Sequence, residues 1–251
     1  MRLCVAIPCF FGGVPFCDAL KKARELGFDA AETYNWKNLN FDEVKSTCEE
    51  IGIELMSMCT SDFRATVPEA RDEYLAALRE SCEAANKMGV KRLITQSGPD
   101  TGTERAVQHE NLVATLMAAK PILEHYDVTL MLEPLNTYVN HPDTYLWSSA
   151  EGFDIVKEVD SKKVKLIYDI YHQQIMEGNI IPGVVNNLQY IEHLHAAGSD
   201  GRHELWFGEN NFEYIFKSID EAGYKGACGL EYSPLLSAEE SLKTAKKRYG
   251  I

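Results

Sequence analysis

The sequence has no basic stripe, no long apolar run and no paired-cysteine motif, and each absence removes a class of function. Lysine and arginine total 25 against 38 aspartates and glutamates, a formal net charge of −13. A protein that grips nucleic acid needs a positive face to neutralise phosphates, so no nucleic-acid partner is expected. The one dense basic run, Lys243 to Arg248, falls on an amphipathic C-terminal segment and reads as a solvated helix face. No stretch of about 18 apolar residues occurs, so no transmembrane helix and no membrane partner are expected. The opening MRLCVAIPCF is too short in apolar length for a signal peptide and runs straight into a strand pattern, so a cytoplasmic protein is expected. The seven cysteines are odd in number, include no CxxC pair and lie mostly in apolar segments. They read as reduced, buried thiols and not as disulfides or a zinc cluster. GxGxxG is also missing, and Gly12-Gly13 alone does not make a phosphate-binding loop.

What the chain does have is an alternation of strand and helix patterns from end to end. Strands are expected at Arg2–Ile7, Phe28–Thr33, Ile53–Cys59, Lys91–Gln96, Val128–Glu133, Val164–Asp169, Tyr190–His195 and Ala227–Glu231. Helices are expected at Phe16–Leu26, Asp42–Ile51, Pro68–Met88, Thr103–His125, Ala150–Val159, in a broken form up to Asn187, and at Phe212–Ala222 and Ala238–Tyr249. Glycines at 27, 52 and 89 stop the first three. Asp42 is the expected N-cap of the second, and Pro121 is expected to kink the fourth or begin a new segment. Near-continuous apolar strands, each followed by a helix, imply a parallel sheet buried on both faces. Eight such units in 251 residues, with no linker or composition shift, imply one α/β domain over residues 1–251, a closed (β/α)8 TIM barrel, with an open doubly wound sheet as the alternative.

Four of the strands end in a side chain that can bind metal. Glu133 closes LMLE, Asp169 closes VKLIYD, His195 closes IEHLH and Glu231 closes GLE, at steps of 36, 26 and 36 residues. In a barrel those ends converge on one rim, the catalytic face. Three carboxylates and an imidazole suit one divalent ion of the Mn²⁺, Mg²⁺, Co²⁺ or Zn²⁺ type, and without a cation the carboxylates would repel one another. Glu32 also falls at a strand end. His172 lies three residues after Asp169 and can point into the same mouth. His193 shares a strand face with His195, and the rim position is the better ligand. Arg202, in a loop between Gly198 and Gly201 on one side and Glu204 on the other, reads as a mobile cation suited to an oxygen-rich or anionic substrate. Gln96 and Asn136 could line the mouth, Glu204 and Glu209 read as structural, and His109, His125 and His141 have no assigned role.

The segments LEPLN, YDIYHQQIMEGN, HLHAAGSDGRHEL, FGENNF and GLEYSP together resemble the xylose-isomerase-like barrels of sugar isomerases and epimerases, and within them the hydroxypyruvate isomerase family. The resemblance implies a metal held by Glu133, Asp169, His195 and Glu231, with Mn²⁺ or Mg²⁺ foremost. It implies that Glu133 and Glu231 form the acid–base pair and that His172 and Arg202 hold substrate oxygens. It implies isomerisation of a small sugar or hydroxy-keto acid and a homo-oligomer, dimer or tetramer. His195 stands where hydroxypyruvate isomerases often carry glutamine, and in this it is similar to the ketose 3-epimerases. Val139, six residues after Glu133, stands where the epimerases carry a further glutamate, as in the isomerases. The loop SDFRATVPEARDEY lacks the arginine-bearing insert typical of hydroxypyruvate isomerases. Ketose 3-epimerisation is the second reading, and an AP-endonuclease-like phosphodiesterase a remote third.

Overall fold

A computed structural model describes residues 1–250 of the chain. Its strands are β1 (Arg2–Ala6), β2 (Ala30–Glu32), β3 (Glu54–Cys59), β4 (Arg92–Gln96), β5 (Thr129–Glu133), β6 (Val164–Asp169), β7 (Ile191–Ala196) and β8 (Ala227–Leu230). All pair in parallel in sequence order, and β1 pairs with both β2 and β8, so the sheet closes. That closure rules out the open doubly wound alternative. Ten α-helices occur among the described residues: α1 (Ile7–Phe10), α2 (Phe16–Glu25), α3 (Phe41–Ile51), α4 (Arg71–Met88), α5 (Arg105–Tyr126), α6 (Ser149–Val159), α7 (Ile170–Met176), α8 (Ile180–Val185), α9 (Phe212–Glu221) and α10 (Ala238–Tyr249).

Three local readings change. The N-cap of α3 is Asn40, whose Oδ1 accepts the Glu43 N–H at 3.3 Å, while Asp42 sits inside the first turn. A cap needs extended backbone just outside the helix, which Asn40 has; Asp42 instead favours the positive end of the helix dipole. Helix α5 runs through Pro121 without a break. Proline removes the N–H that Met117 would accept, but both residues face solvent, so water can take the freed carbonyl. The chain after β1 turns at once into α1, where Pro8 fits the first turn, so β1 ends at Ala6. The broken helix after β6 is α7 and α8, separated where Gly178 and Asn179 adopt left-handed backbone at φ 61° and 50°.

Leucine, isoleucine, valine and aromatic side chains from the outward faces of the strands meet the inner faces of the helices in one continuous core. The barrel interior is filled differently. Cys4, Ala30, Met56 and Ala227 form one small cluster, and Ile94, Met131 and Ile167 form another against Cys59. The small residues of the first cluster leave room above them for the fully buried Glu32, His193 and His195. At the opposite, N-terminal end the interior is closed by ion pairs: Arg92 reaches Glu192 at 2.9 Å and Glu54 at 3.3 Å, and Arg2 reaches Glu54 at 2.8 Å. Polar groups are therefore layered above and below an apolar band, and the C-terminal mouth opens into a sizeable cavity.

Candidate active site

The cavity over the C-terminal ends of the strands has a volume of about 580 Å³, within the range of small-molecule sites. Trp36, Phe63, Ile94 and Leu135 give it an apolar wall, and Glu133, His172, His195, Arg202 and Glu231 form its polar side. The ligand atoms of Glu133, Asp169, His195 and Glu231 all lie within 4.8 Å of one another. Each arrives for a simple reason: it is the last inward-facing residue of its strand, or, for Glu231, the first residue beyond it, tied back by its N–H to the Ala196 carbonyl at 3.1 Å. Asp169 is also the N-cap of α7; its Oδ1 accepts the Tyr171 N–H at 2.7 Å, which leaves Oδ2 for the cavity.

His195 is the centre of this group. Its Nδ1 lies 2.8 Å from Glu231 Oε2 and 3.7 Å from Glu133 Oε1. On its other side Nε2 lies 3.1 Å from Glu32 Oε1. Neither ring nitrogen has an aligned hydrogen bond, although the ring is buried. A buried nitrogen of this kind needs a partner. The donor set is hard to borderline, and with Nδ1 2.8 Å from Glu231 Oε2 both could address one divalent ion. The four residues thus fit a divalent cation.

The electrostatics agree. Burial, reinforced by Glu231, pushes the carboxyls of Glu133 and Asp169 up. Burial acts the same way on Glu231, but the charges of His195 and Arg202 outweigh it and hold its carboxyl far below the usual range. Burial would neutralise His195, yet Glu32, Glu231 and Glu133 hold it protonated well above the ordinary histidine value. A crowd of carboxylates sharing too little positive charge is the condition that an added cation relieves.

His172 is buried, and burial together with Arg202 pushes it well below the ordinary value, so it is neutral. Asn136 approaches its Nδ1 with its backbone N–H at 3.1 Å and its amide at 2.7 Å. Nδ1 is therefore an acceptor, and Nε2 carries the proton, 3.4 Å from Asp169 Oδ2. Asn136, expected at the mouth, lies behind His172; Gln96 does line the cavity. Arg202 is not free over the opening. Its Nη2 donates to Glu231 Oε2 at 2.7 Å and to Asp169 Oδ2 at 3.4 Å, and its guanidinium lies 5.0 Å from the Tyr171 ring. It holds this place with a left-handed backbone, φ 58°, a strained conformation for arginine. Glu204, read as structural, accepts the backbone N–H groups of Leu235 and Leu236.

Two participants lacked an assigned role. His141 lines the cavity edge-on to His172, with ring centroids 5.4 Å apart. Glu32 sits below His195 and also accepts from His193 Nε2 at 3.0 Å and Ser57 Oγ at 2.9 Å. Its position at a strand end was the available signal. Val139 is exposed and lines no part of the cavity. Arg64, the first arginine of SDFRATVPEARDEY, turns to Asp62 and Glu73.

Residues 20–248 match the model of the xylose isomerase-like TIM barrel. The chain belongs to that family. It is 27% identical over 252 residues to hydroxypyruvate isomerase of Escherichia coli (strain K12), covering 97% of each chain. It is 31% identical over 191 residues to 2-oxo-tetronate isomerase of Cupriavidus necator, covering 74% of this chain and 72% of the relative. Among solved structures, one described as AP endonuclease, family 2, from Brucella melitensis superposes with a TM-score of 0.92 at 24% identity, covering 99% of both chains. At that identity the likeness speaks for the fold alone. No described helix is long and apolar enough to cross a membrane.

Proposed function

We propose that this protein is a metal-dependent isomerase of a small α-hydroxycarbonyl compound, a hydroxypyruvate-like keto acid or a short ketose. The observation that carries the reading is the buried His195 Nδ1 facing three carboxylates at the floor of a cavity bearing His172 and Arg202. The names of the two isomerase relatives point to the same substrate class. Glu133, Asp169, His195 and Glu231 would hold one divalent ion, Mn²⁺ or Mg²⁺ first, with Co²⁺ or Zn²⁺ also suited. When bound, such an ion acts as a Lewis acid on the substrate carbonyl and offsets the charge of the enediolate.

The chain's own residues supply the rest. Glu231, held ionised by His195 and Arg202, takes the proton from the carbon beside the carbonyl. Glu133, whose carboxyl is pushed up by burial, returns one to the neighbouring carbon, while the hydroxyl proton of the first carbon passes to the former carbonyl oxygen. Two carboxyls whose surroundings drive their proton affinities apart make a base and an acid. A positioned group of this kind is worth roughly 10²–10⁴ in rate. His172 donates from Nε2 to a substrate oxygen, and Arg202 holds another. The reading carries with it a cytoplasmic location and a homo-oligomer.

Return of the proton to the same carbon from the other face would make the protein a ketose 3-epimerase. The cavity volume, ample for a six-carbon sugar, favours keeping that second reading. Phosphodiester cleavage is disfavoured by the charge of −13 and by the acidic mouth. The test is product analysis with Mn²⁺-loaded protein and hydroxypyruvate, short 2-keto hydroxy acids and hexuloses offered in turn. The reading expects an isomer of one of the acids or a short ketose. An exclusive C3 epimer would favour the second reading, and no product from any compound would overturn both.

A further inference from the structure

Glu32 lies outside the four-residue set, yet its carboxylate is enclosed in the barrel interior. It is fully buried, and its two oxygens serve two histidines and a serine. A carboxylate only accepts hydrogen bonds, so His193 must present Nε2–H to Glu32 Oε2. His195 Nε2 lies 3.1 Å from Oε1, a close charge contact and not an aligned hydrogen bond. With one proton kept at Nε2 beside Glu32, Nδ1 is the nitrogen that would give up its proton to a cation, and Nδ1 is the atom that faces Glu133 and Glu231. The room for this arrangement is built into the neighbouring strand. A Cβ on Gly229 would collide with Glu32 Oε1 and lie 2.6 Å from His195 Cδ2.

We infer that Glu32 is a positioning residue for the metal site: its carboxylate packs against the Nε2 side of the His195 ring at 3.1 Å and so turns Nδ1 toward the other carboxylates as the ligand, with Ser57 and His193 fixing the carboxylate in turn. The inference rests on the reading of Glu133, Asp169, His195 and Glu231 as a cation site. Partners of this kind orient the ring and raise its basicity, and their loss weakens metal binding about 10- to 100-fold. Glu32 does not line the cavity, so its role is exerted through His195.

The nearby grouping of Cys4, Glu32 and His193 could itself be taken for a second ion site. The hydrogen bonds from Ser57 and His193 already occupy Glu32 Oε2, and burial raises the Cys4 thiol well above its ordinary value, which favours a neutral group there. Orientation of His195 accounts for the cluster without a further ion.

The experiment is Mn²⁺ titration by calorimetry of the whole chain and of Glu32→Gln. Glutamine keeps the shape but has one acceptor oxygen, so it cannot serve both histidines. The expected result is one equivalent bound in both proteins, a Kd raised about 10- to 100-fold in the variant, and turnover that recovers as Mn²⁺ is raised. A mere packing defect would not recover in that way. Equal Kd values overturn the inference while leaving the cation site standing. Two equivalents in the wild type with one lost in the variant also overturn it, because Glu32 would then be a ligand. No Mn²⁺ bound by the wild type overturns the cation site and the inference together. If Glu32→Gln does not fold, Ser57→Ala decides: a Kd raised several-fold supports the role, and an unchanged Kd refutes it.

Discussion

Gly229→Ala turns the tightest feature of the barrel interior into a measurement. Gly229 lies in β8, paired with His195 of β7 and with Cys4 of β1, so its backbone is held from both sides. Its φ is not in the left-handed region, and the objection to a side chain is purely one of space. A methyl group would overlap Glu32 Oε1 and sit 2.6 Å and 3.0 Å from His195 Cδ2 and Nε2. These neighbours are buried ring and carboxylate atoms tied to His193 and Ser57, not the free ends of flexible chains. Relief must come from moving Glu32 and His195 apart or from shifting a strand. Overpacking of this kind costs about 1–3 kcal/mol. In a protein of this size each kcal/mol lowers Tm by about 2–4 °C, so a fall of roughly 2–12 °C is expected. Urea unfolding followed by tryptophan fluorescence measures the cost, and Mn²⁺ affinity measures the damage to the site. Gly12→Ala is the control: it is exposed, and its Cβ would meet only the Pro8 carbonyl at 3.6 Å. If Gly229→Ala matches the wild type in both stability and Mn²⁺ affinity, the account of the packed Glu32–His195 pair is wrong.

Three further outcomes follow from the same structure. Glu133→Gln should lose turnover by about 10²–10⁴-fold while circular dichroism and thermal unfolding stay near those of the wild type; an active variant would remove Glu133 from the chemistry. Chelation should abolish turnover, and Mn²⁺ at about 100 times its Kd should stabilise the stripped protein by about 2.7 kcal/mol, read as a rise in Tm; a Tm indifferent to Mn²⁺ would contradict the site. Glu204→Gln should destabilise the fold by about 1–3 kcal/mol near neutral pH, because the buried carboxylate caps the Leu235 and Leu236 N–H groups. Burial opposes ionisation of Glu204, but those bonds win and depress its carboxyl below the ordinary 4.5. Its contribution is therefore present above that value and lost as pH falls through the folded one, so urea midpoints of the two proteins should converge in acid. A gap that widens on acidification would refute the assignment.

Strand ends were legible because a barrel repeats: Glu133, Asp169, His195 and Glu231 each close an apolar segment, and the topology alone carries them to one rim. His172 followed from its distance to Asp169 along a helix start. What stayed hidden depended on contacts that no periodicity encodes. Glu32 meets His193 across 161 residues, through the barrel interior, so its strand-end position was visible and its partners were not. His141 lies in a non-repeating loop whose path is fixed by bonds to Asn136. Arg202 was readable as a cation near the mouth, but the flanking glycines suggested freedom, whereas bonds to Glu231 and Asp169 tie it down. Pro121 and Asp42 were misread at the level of single hydrogen bonds, where solvent exposure and backbone angle decide.

The central claim is that this chain moves a proton beside a substrate carbonyl. Its most direct test is proton–deuterium exchange followed by NMR, with Mg²⁺-loaded protein and hydroxypyruvate in D₂O. The account predicts that the hydroxymethyl protons of hydroxypyruvate are replaced by deuterium in the presence of the wild type and not of Glu231→Gln. Retention of those protons by a protein shown to bind its ion, with the short ketoses likewise unexchanged, would contradict it.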